Sequence, residues 1–295
     1  MQKFKNYDII QSGEIMQIHT TQDTIYLDDA QYFDPEATLT SGQVFRFDCV
    51  DNVWTIHSQA EFAQIYQISP SKYKILCSNP KFFVNYFDFF TNYDNIINSL
   101  SKFDELSASL EYGKGVRMLR QPLLEVIISF IISANNNIPR IRKSLDLICT
   151  RFGSPTHFGY AFPTLEQMSK ITISDFEECG CGYRAKYLVD TIGILVNTDL
   201  LHTLIDAPTE LARQKLIALP GVGPKVADCI LLFGLNKQDV FPVDTWIQKI
   251  YTNDYHGTEK SRTKIAKFFV DKYGELSGYA QQYLFYHKRK DIKLI

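Results

Sequence analysis

The stretch Leu219–Cys229, LPGVGPKVADC, sets a Pro-Gly-Val-Gly turn directly before an apolar run suited to a helix. Its odd residue is Lys225. In the first turn of a helix the backbone dipole is positive, and a cation there costs roughly 0.3–1 kcal/mol. Read as G-x-G, the turn is one register away from a dinucleotide-binding fingerprint, with Asp244 at a fitting distance downstream. That fingerprint must follow a buried strand. The preceding PTELARQKLIAL instead mixes Glu210, Arg213 and Lys215 with Leu211, Leu216 and Leu219, a helical spacing with Pro208 at its start. The stretch therefore reads as helix, glycine hairpin, helix. The hairpin amides of Gly221, Val222 and Gly223, with the helix N-terminus, then make a pocket for an anion such as a DNA phosphate. An ordinary connection between two helices fits the same letters.

The chemistry nearby separates the two. Lys225 and Cys229 are four residues apart and share a helix face. After LLFGLNKQDVF comes PVDTW, where Asp244 precedes another helical run. An aspartate there serves as an N-cap. Beside a lysine held in a positive field and buried, it is also a proton acceptor, or a carboxylate that offsets developing positive charge. The field that penalises the ammonium favours the free amine, so the placement suits a nucleophile aimed at a carbon electrophile.

The rest of the chain bounds the setting. With 295 residues, 45% of them apolar, it is large enough for one big domain or two ordinary ones. A net charge of −2 gives no global basic field, so any polyanion site must be local. Six scattered cysteines suit reduced thiols in a cytosolic protein, and Cys179 and Cys181 lack a second ligand pair, so no zinc site is expected. MQKFKNYDII has no apolar core of a signal peptide, and no run approaches membrane-spanning length. The expectation is a soluble, intracellular protein. The segments TIYLDDAQYF, QVFRFDCVDNVWTIHS and FAQIYQISPSKYKILCS alternate like antiparallel strands, with Asp-Asn and Pro-Ser turns. From about Asn85 the spacing turns helical. The expected architecture is α+β: a twisted antiparallel sheet domain over 1–108, then an all-helical domain over 109–295, with GKG at 113–115 near the joint.

LPGVGPKVADC followed by PVDTW resembles the helix-hairpin-helix DNA glycosylases that carry a catalytic lysine. LTSGQVFRF at 39–47, GVRMLRQPLLEVIISFIISANNNIPRI at 115–141, CGYRAKYL at 181–188 and AQQYLF at 280–285 narrow the resemblance to the 8-oxoguanine DNA glycosylase/lyase family. It implies a repair enzyme that extrudes an oxidised guanine from double-stranded DNA, cuts its glycosidic bond through a Lys225 Schiff base, and nicks the strand by β-elimination. Asp244 would support the cation-like transition state. Phe285 and Cys229 would sandwich the base and Gln281 would bind its Watson–Crick edge. The Gly42 carbonyl would accept the N7–H that only the oxidised base carries, worth about 1–3 kcal/mol of discrimination.

The resemblance also implies that Asn135, Arg140 and Arg184 hold the orphaned cytosine while Tyr183 wedges into the stack. Alone, NNN reads as a helix-terminal turn, Phe285 as a core aromatic and Gly42 as a turn glycine. Trp246 departs from the histidine of well-known members. No iron–sulfur cluster, other cofactor or membrane partner is expected, and the chain is expected to act as a monomer near DNA, in a nucleoid or nucleus. Two rivals remain: a monofunctional glycosylase for alkylated bases, which has no use for Lys225, and a hairpin module that only binds DNA.

Overall fold

The computed structural model describes residues 16–290, and the decapeptide inspected above for a leader lies outside them. Its first part is a six-stranded sheet in the order β1-β2-β6-β5-β4-β3. The strands are β1 (Gln17–Thr20), β2 (Thr24–Asp28), β3 (Phe47–Val50), β4 (Val53–Ser58), β5 (Glu61–Ser69) and β6 (Lys72–Cys77), and every pairing is antiparallel. The Asp51–Asn52 turn has φ of +51° and +61°, the geometry that lets a two-residue loop follow the strands' twist. Alternation puts one face in the core. Trp54 and Ile56 point inward from β4, opposite Ile65 and Ala63 of β5, and Ile75 of β6 lies between Ile25 and Ile65. Phe33, Phe83, Phe87 and Phe89 close that face.

Two strand expectations are trimmed. The segment TIYLDDAQYF pairs only to Asp28, because Asp29 turns to φ +56°. The segment beginning at Gln43 pairs only from Phe47, because side chains of the preceding residues are engaged elsewhere. Gln43 is fully buried, donates to the Arg117 carbonyl (2.8 Å) and accepts from the Leu119 amide (2.8 Å). Arg46 reaches Glu125 (3.2 Å) and the Tyr160 carbonyl (2.6 Å). Those residues bridge to the helical part instead of extending the sheet.

From Tyr93 onward the chain is helical apart from a two-stranded hairpin, Pro155–Thr156 with Gly159–Tyr160, which the sequence had not suggested. The helix Leu123–Ser133 is buried along nearly its whole length. It crosses Pro224–Gly234 closely: a Cβ on Gly234 would stand 3.0 Å from Leu123 Cδ1. The glycines of GKG bind the two parts together. Gly115, at φ +96°, accepts from the Asp34 amide (2.9 Å) and the Thr38 hydroxyl (3.0 Å). Arg117, fully buried, donates to the carbonyls of Tyr32, Asp88 and Thr91 and lies over the Tyr93 ring.

The Arg46–Glu125 pair is nearly dry, and Glu125 also accepts from Ser58 and from the Gln59 amide. Removing one partner leaves a buried charge. Arg46→Met is expected to destabilise the protein by about 3–5 kcal/mol, read as a lower urea midpoint, and Arg46→Met/Glu125→Leu to recover part of the loss.

Candidate active site

The helix Thr209–Ile217 does precede the glycine turn, which excludes a strand-led nucleotide fingerprint. Gly221 has φ +80° and packs on Tyr187, whose Cβ would stand 2.9 Å from a Cβ at that position. Val222 is buried, and its amide donates to the Leu219 carbonyl. Gly223 is the N-cap of Pro224–Gly234. It offers no side-chain cap, and nothing stands within 4 Å of its Cβ position. Pro224 has no N–H, so the amides of Lys225 and Val226 are the ones a helix leaves unpaired at this end. They face an open approach with the positive end of the dipole behind them.

Lys225 is half-buried on this helix. Its Nζ stands over the Phe130 ring at 5.4 Å, and Phe130 is stacked on Phe233 (5.4 Å) and edge-on to Phe45 (5.6 Å). Lys225, Asp244, Trp246, Phe285 and Gly42 all line one cleft of about 540 Å³ between the sheet part and the helices. Asp244 caps Thr245–Asn253, and its Oδ1 accepts from the amides of Trp246 and Ile247 at 2.9 Å each. The N-cap and active-site readings are thus compatible, since capping uses one carboxylate oxygen and fixes the direction of the other.

Gly42 lies in the left-handed region, at φ +86°, and an added Cβ would stand 2.9 Å from both Phe285 Cε1 and Arg289 Nη1. A side chain there would strain the backbone and displace both neighbours. Phe285 is half-buried. Gln281, one turn earlier, is 5% exposed, and its Oε1 has no donor among the described residues. Cys229 lies a turn beyond Lys225 and is 3% exposed. Burial pushes its thiol up to about 11, opposed by neighbouring Lys225 and aided by Asp228 and Asp244. These two side chains sit behind the cleft lining.

Comparison with known proteins gives this geometry a family. Residues 24–127 match the N-terminal domain of 8-oxoguanine DNA glycosylase, and residues 128–274 match the HhH-GPD superfamily of base excision DNA repair proteins. The chain belongs to the 8-oxoguanine DNA glycosylase family. It is similar to an N-glycosylase/DNA lyase of Arabidopsis thaliana, 40% identical over 62% of this chain and 54% of the relative, so it spans about half of that protein. A probable N-glycosylase/DNA lyase of Methanothermobacter thermautotrophicus is 34% identical over 63% of this chain and 67% of its own length. The crystal structure of Clostridium acetobutylicum 8-oxoguanine glycosylase/lyase, with dsDNA containing cytosine opposite 8-oxoG, superposes at TM-score 0.89 and 35% identity. It covers 95% of this chain and 99% of that one. A 3-methyladenine glycosylase of Archaeoglobus fulgidus shares only the fold, at TM-score 0.73 and 18% identity.

The remaining family positions surround the end of the Leu123–Ser133 helix. Asn135 is exposed at φ +50°, and Asn137 caps the helix Ile138–Phe152 by accepting from the Arg140 amide. The Arg140 side chain is exposed, and Tyr183 is 57% exposed. Arg184 differs. It is 5% exposed and spends four bonds on the carbonyls of Ala134 (twice), Asn135 and Cys181. It holds the Asn135 turn in place, with one of its five N–H groups left over.

Sequence reasoning passed over Arg289, which lines the cleft. No motif marks it, and only the direction of the last helix brings it there. Two glycines test the close approach. Gly42→Ala is expected to cost about 1–2 kcal/mol from left-handed strain alone, plus the displacement of Phe285. Gly193→Ala, mid-helix with nothing within 4 Å of the added methyl, is expected to stabilise by about 0.5–1 kcal/mol. Urea midpoints read both.

Proposed function

We propose that this protein is a bifunctional repair enzyme that excises 8-oxoguanine paired with cytosine from double-stranded DNA and nicks the abasic strand. The observation that carries this is the single cleft shared by Gly42, Lys225, Asp244 and Phe285. The Clostridium relative, solved with such a duplex, supports the choice of substrate. The division at about residue 108 fits it too: the first lobe brings the Gly42 loop, the second the nucleophile. The protein acts as a monomer on DNA, with no membrane partner.

The lesion enters extruded from the stack, at a cost of a few kcal/mol repaid by pocket contacts. Its N7–H donates to the Gly42 carbonyl, its ring lies on Phe285, and its Watson–Crick edge donates to the orphaned Gln281 Oε1. Normal guanine presents a lone pair at N7 and meets repulsion at Gly42. Uncharged Lys225 Nζ attacks C1′, the C1′–N9 bond breaks, and the base departs with the electron pair and takes up a proton. Asp244 offsets the positive charge that develops on the sugar and accepts a proton from the amine. Ring opening gives an imine. Loss of a C2′ proton then expels the 3′ phosphate, which breaks the strand. The Gly221–Gly223 hairpin, whose Val222 amide is turned inward to Leu219, holds a backbone phosphate together with the amides of Lys225 and Val226. Tyr183 fills the vacated stack, and Asn135, Arg140 and the free N–H of Arg184 face cytosine, whose O2 and N3 are acceptors.

Borohydride added to protein and an 8-oxoguanine duplex is expected to trap a covalent complex in the wild type and none in Lys225→Gln, since glutamine forms no imine. A trapped Lys225→Gln complex refutes the assignment of the nucleophile. Excision opposite cytosine is expected to exceed that opposite adenine, and Arg184→Ala to flatten the ratio. Equal wild-type rates against both bases refute the cytosine contacts.

A further inference from the structure

The arginines at the junction of the two lobes find partners. Arg46 pairs with Glu125, Arg120 with Asp88, and Arg184 spends four of its five N–H groups on backbone carbonyls. Arg289 is the exception. It is half-buried, yet among the described residues its guanidinium makes no ion pair and no hydrogen bond. It lies 4.8 Å from the centre of the Phe285 ring, and Nη1 stands against Gly42, 2.9 Å from where a Cβ would be. Burial lowers its pKa, and Asp244 is the carboxylate that acts against that. An unpartnered guanidinium in a partly dry cleft is costly unless a ligand brings acceptors.

Position along the helix says which acceptor. Gln281, Phe285 and Arg289 are spaced by four along Ser277–Lys288 and the residue that caps it, so they follow one face over about 12 Å. The order Gln281, Phe285, Arg289 matches a purine laid along the helix: Watson–Crick edge, ring face, imidazole end. With N7–H on the Gly42 carbonyl and O6 on the edge turned to Gln281, the acceptor left at the imidazole end is O8.

We propose that Arg289 is a specificity-determining residue that donates a charge-assisted hydrogen bond to the C8 oxygen of the extruded base. This rests on the 8-oxoguanine reading above. Gly42 would then sense the proton that oxidation adds at N7, and Arg289 the oxygen added at C8. The two atoms distinguish the lesion from guanine by opposite hydrogen-bond signs.

The test compares two rates on the same protein: single-turnover excision of 8-oxoguanine opposite cytosine, and nicking of a preformed abasic site opposite cytosine. The abasic substrate has no C8 oxygen. For Arg289→Met the ratio of excision to nicking is expected to fall about tenfold, the size of one charge-assisted hydrogen bond. Arg289→Lys, which keeps a charged donor, is expected to recover part of it. Equal losses in both rates would overturn the proposal in favour of a phosphate contact or a purely structural role. Tighter binding of Arg289→Met to the lesion duplex would overturn it in favour of a side chain that merely plugs the empty pocket. If the wild type nicks abasic DNA but does not release 8-oxoguanine, the functional reading fails before this one is reached.

Discussion

One contact governs how the two lobes form a single pocket. Gln282, 1% exposed on the last long helix, donates from Nε2 to the Ser41 carbonyl at 3.1 Å. The next residue is Gly42. On the other side of the loop Gln43 is fixed by the backbone at Arg117 and Leu119, and Gln121 donates to the Gln43 carbonyl at 2.8 Å. The Gln43 and Gln282 amides are buried, so each of their bonds that fails leaves a polar group dry and unpaired. The loop therefore has one low-energy position. Apolar packing alone would let it slide by tenths of an ångström, which would blunt the discrimination proposed for the Gly42 carbonyl.

Below the pinned loop the two lobes share an aromatic floor. Phe45 comes from the loop, Phe130 from the buried helix and Phe233 from the hairpin helix, and Lys225 Nζ stands above Phe130. The surface under the amine is therefore apolar, while the polar atoms of the site stand at its sides. Asp244 is oriented by two backbone amides that donate to one of its oxygens. At the face proposed to meet DNA, Asn137 caps a helix with its side chain, and exposed Asn135 and Arg140 lie on either side of it.

Much of this was legible from local sequence. The helix before the glycines, the tight hairpin, Lys225 in the first helical turn and Asp244 as an N-cap all follow from short-range rules, and the structure contains each of them. The alternating strands were legible where one face is buried. They were overread at Gln43–Arg46, whose pattern suits a strand but where Gln43 is drawn to the Arg117–Leu119 backbone and Arg46 to Tyr160 and Glu125. The burial of Arg184 is not legible locally, because the carbonyls of Ala134 and Asn135 that receive it lie about fifty residues earlier.

What the chain settles by itself is therefore the identity of each element and the residue types that could do the chemistry. Capping, periodicity and backbone freedom depend on neighbours a few residues away, and those are written in order. Only the tertiary structure decides that Gly42 lies against Phe285 and Arg289 and that, among the described residues, the Gln281 Oε1 has no donor and the Arg289 guanidinium no counter-ion. The first of these depends on segments more than two hundred residues apart coming into contact. Local patterns carry no term for such an encounter, because it is set by how two separate cores seat against each other.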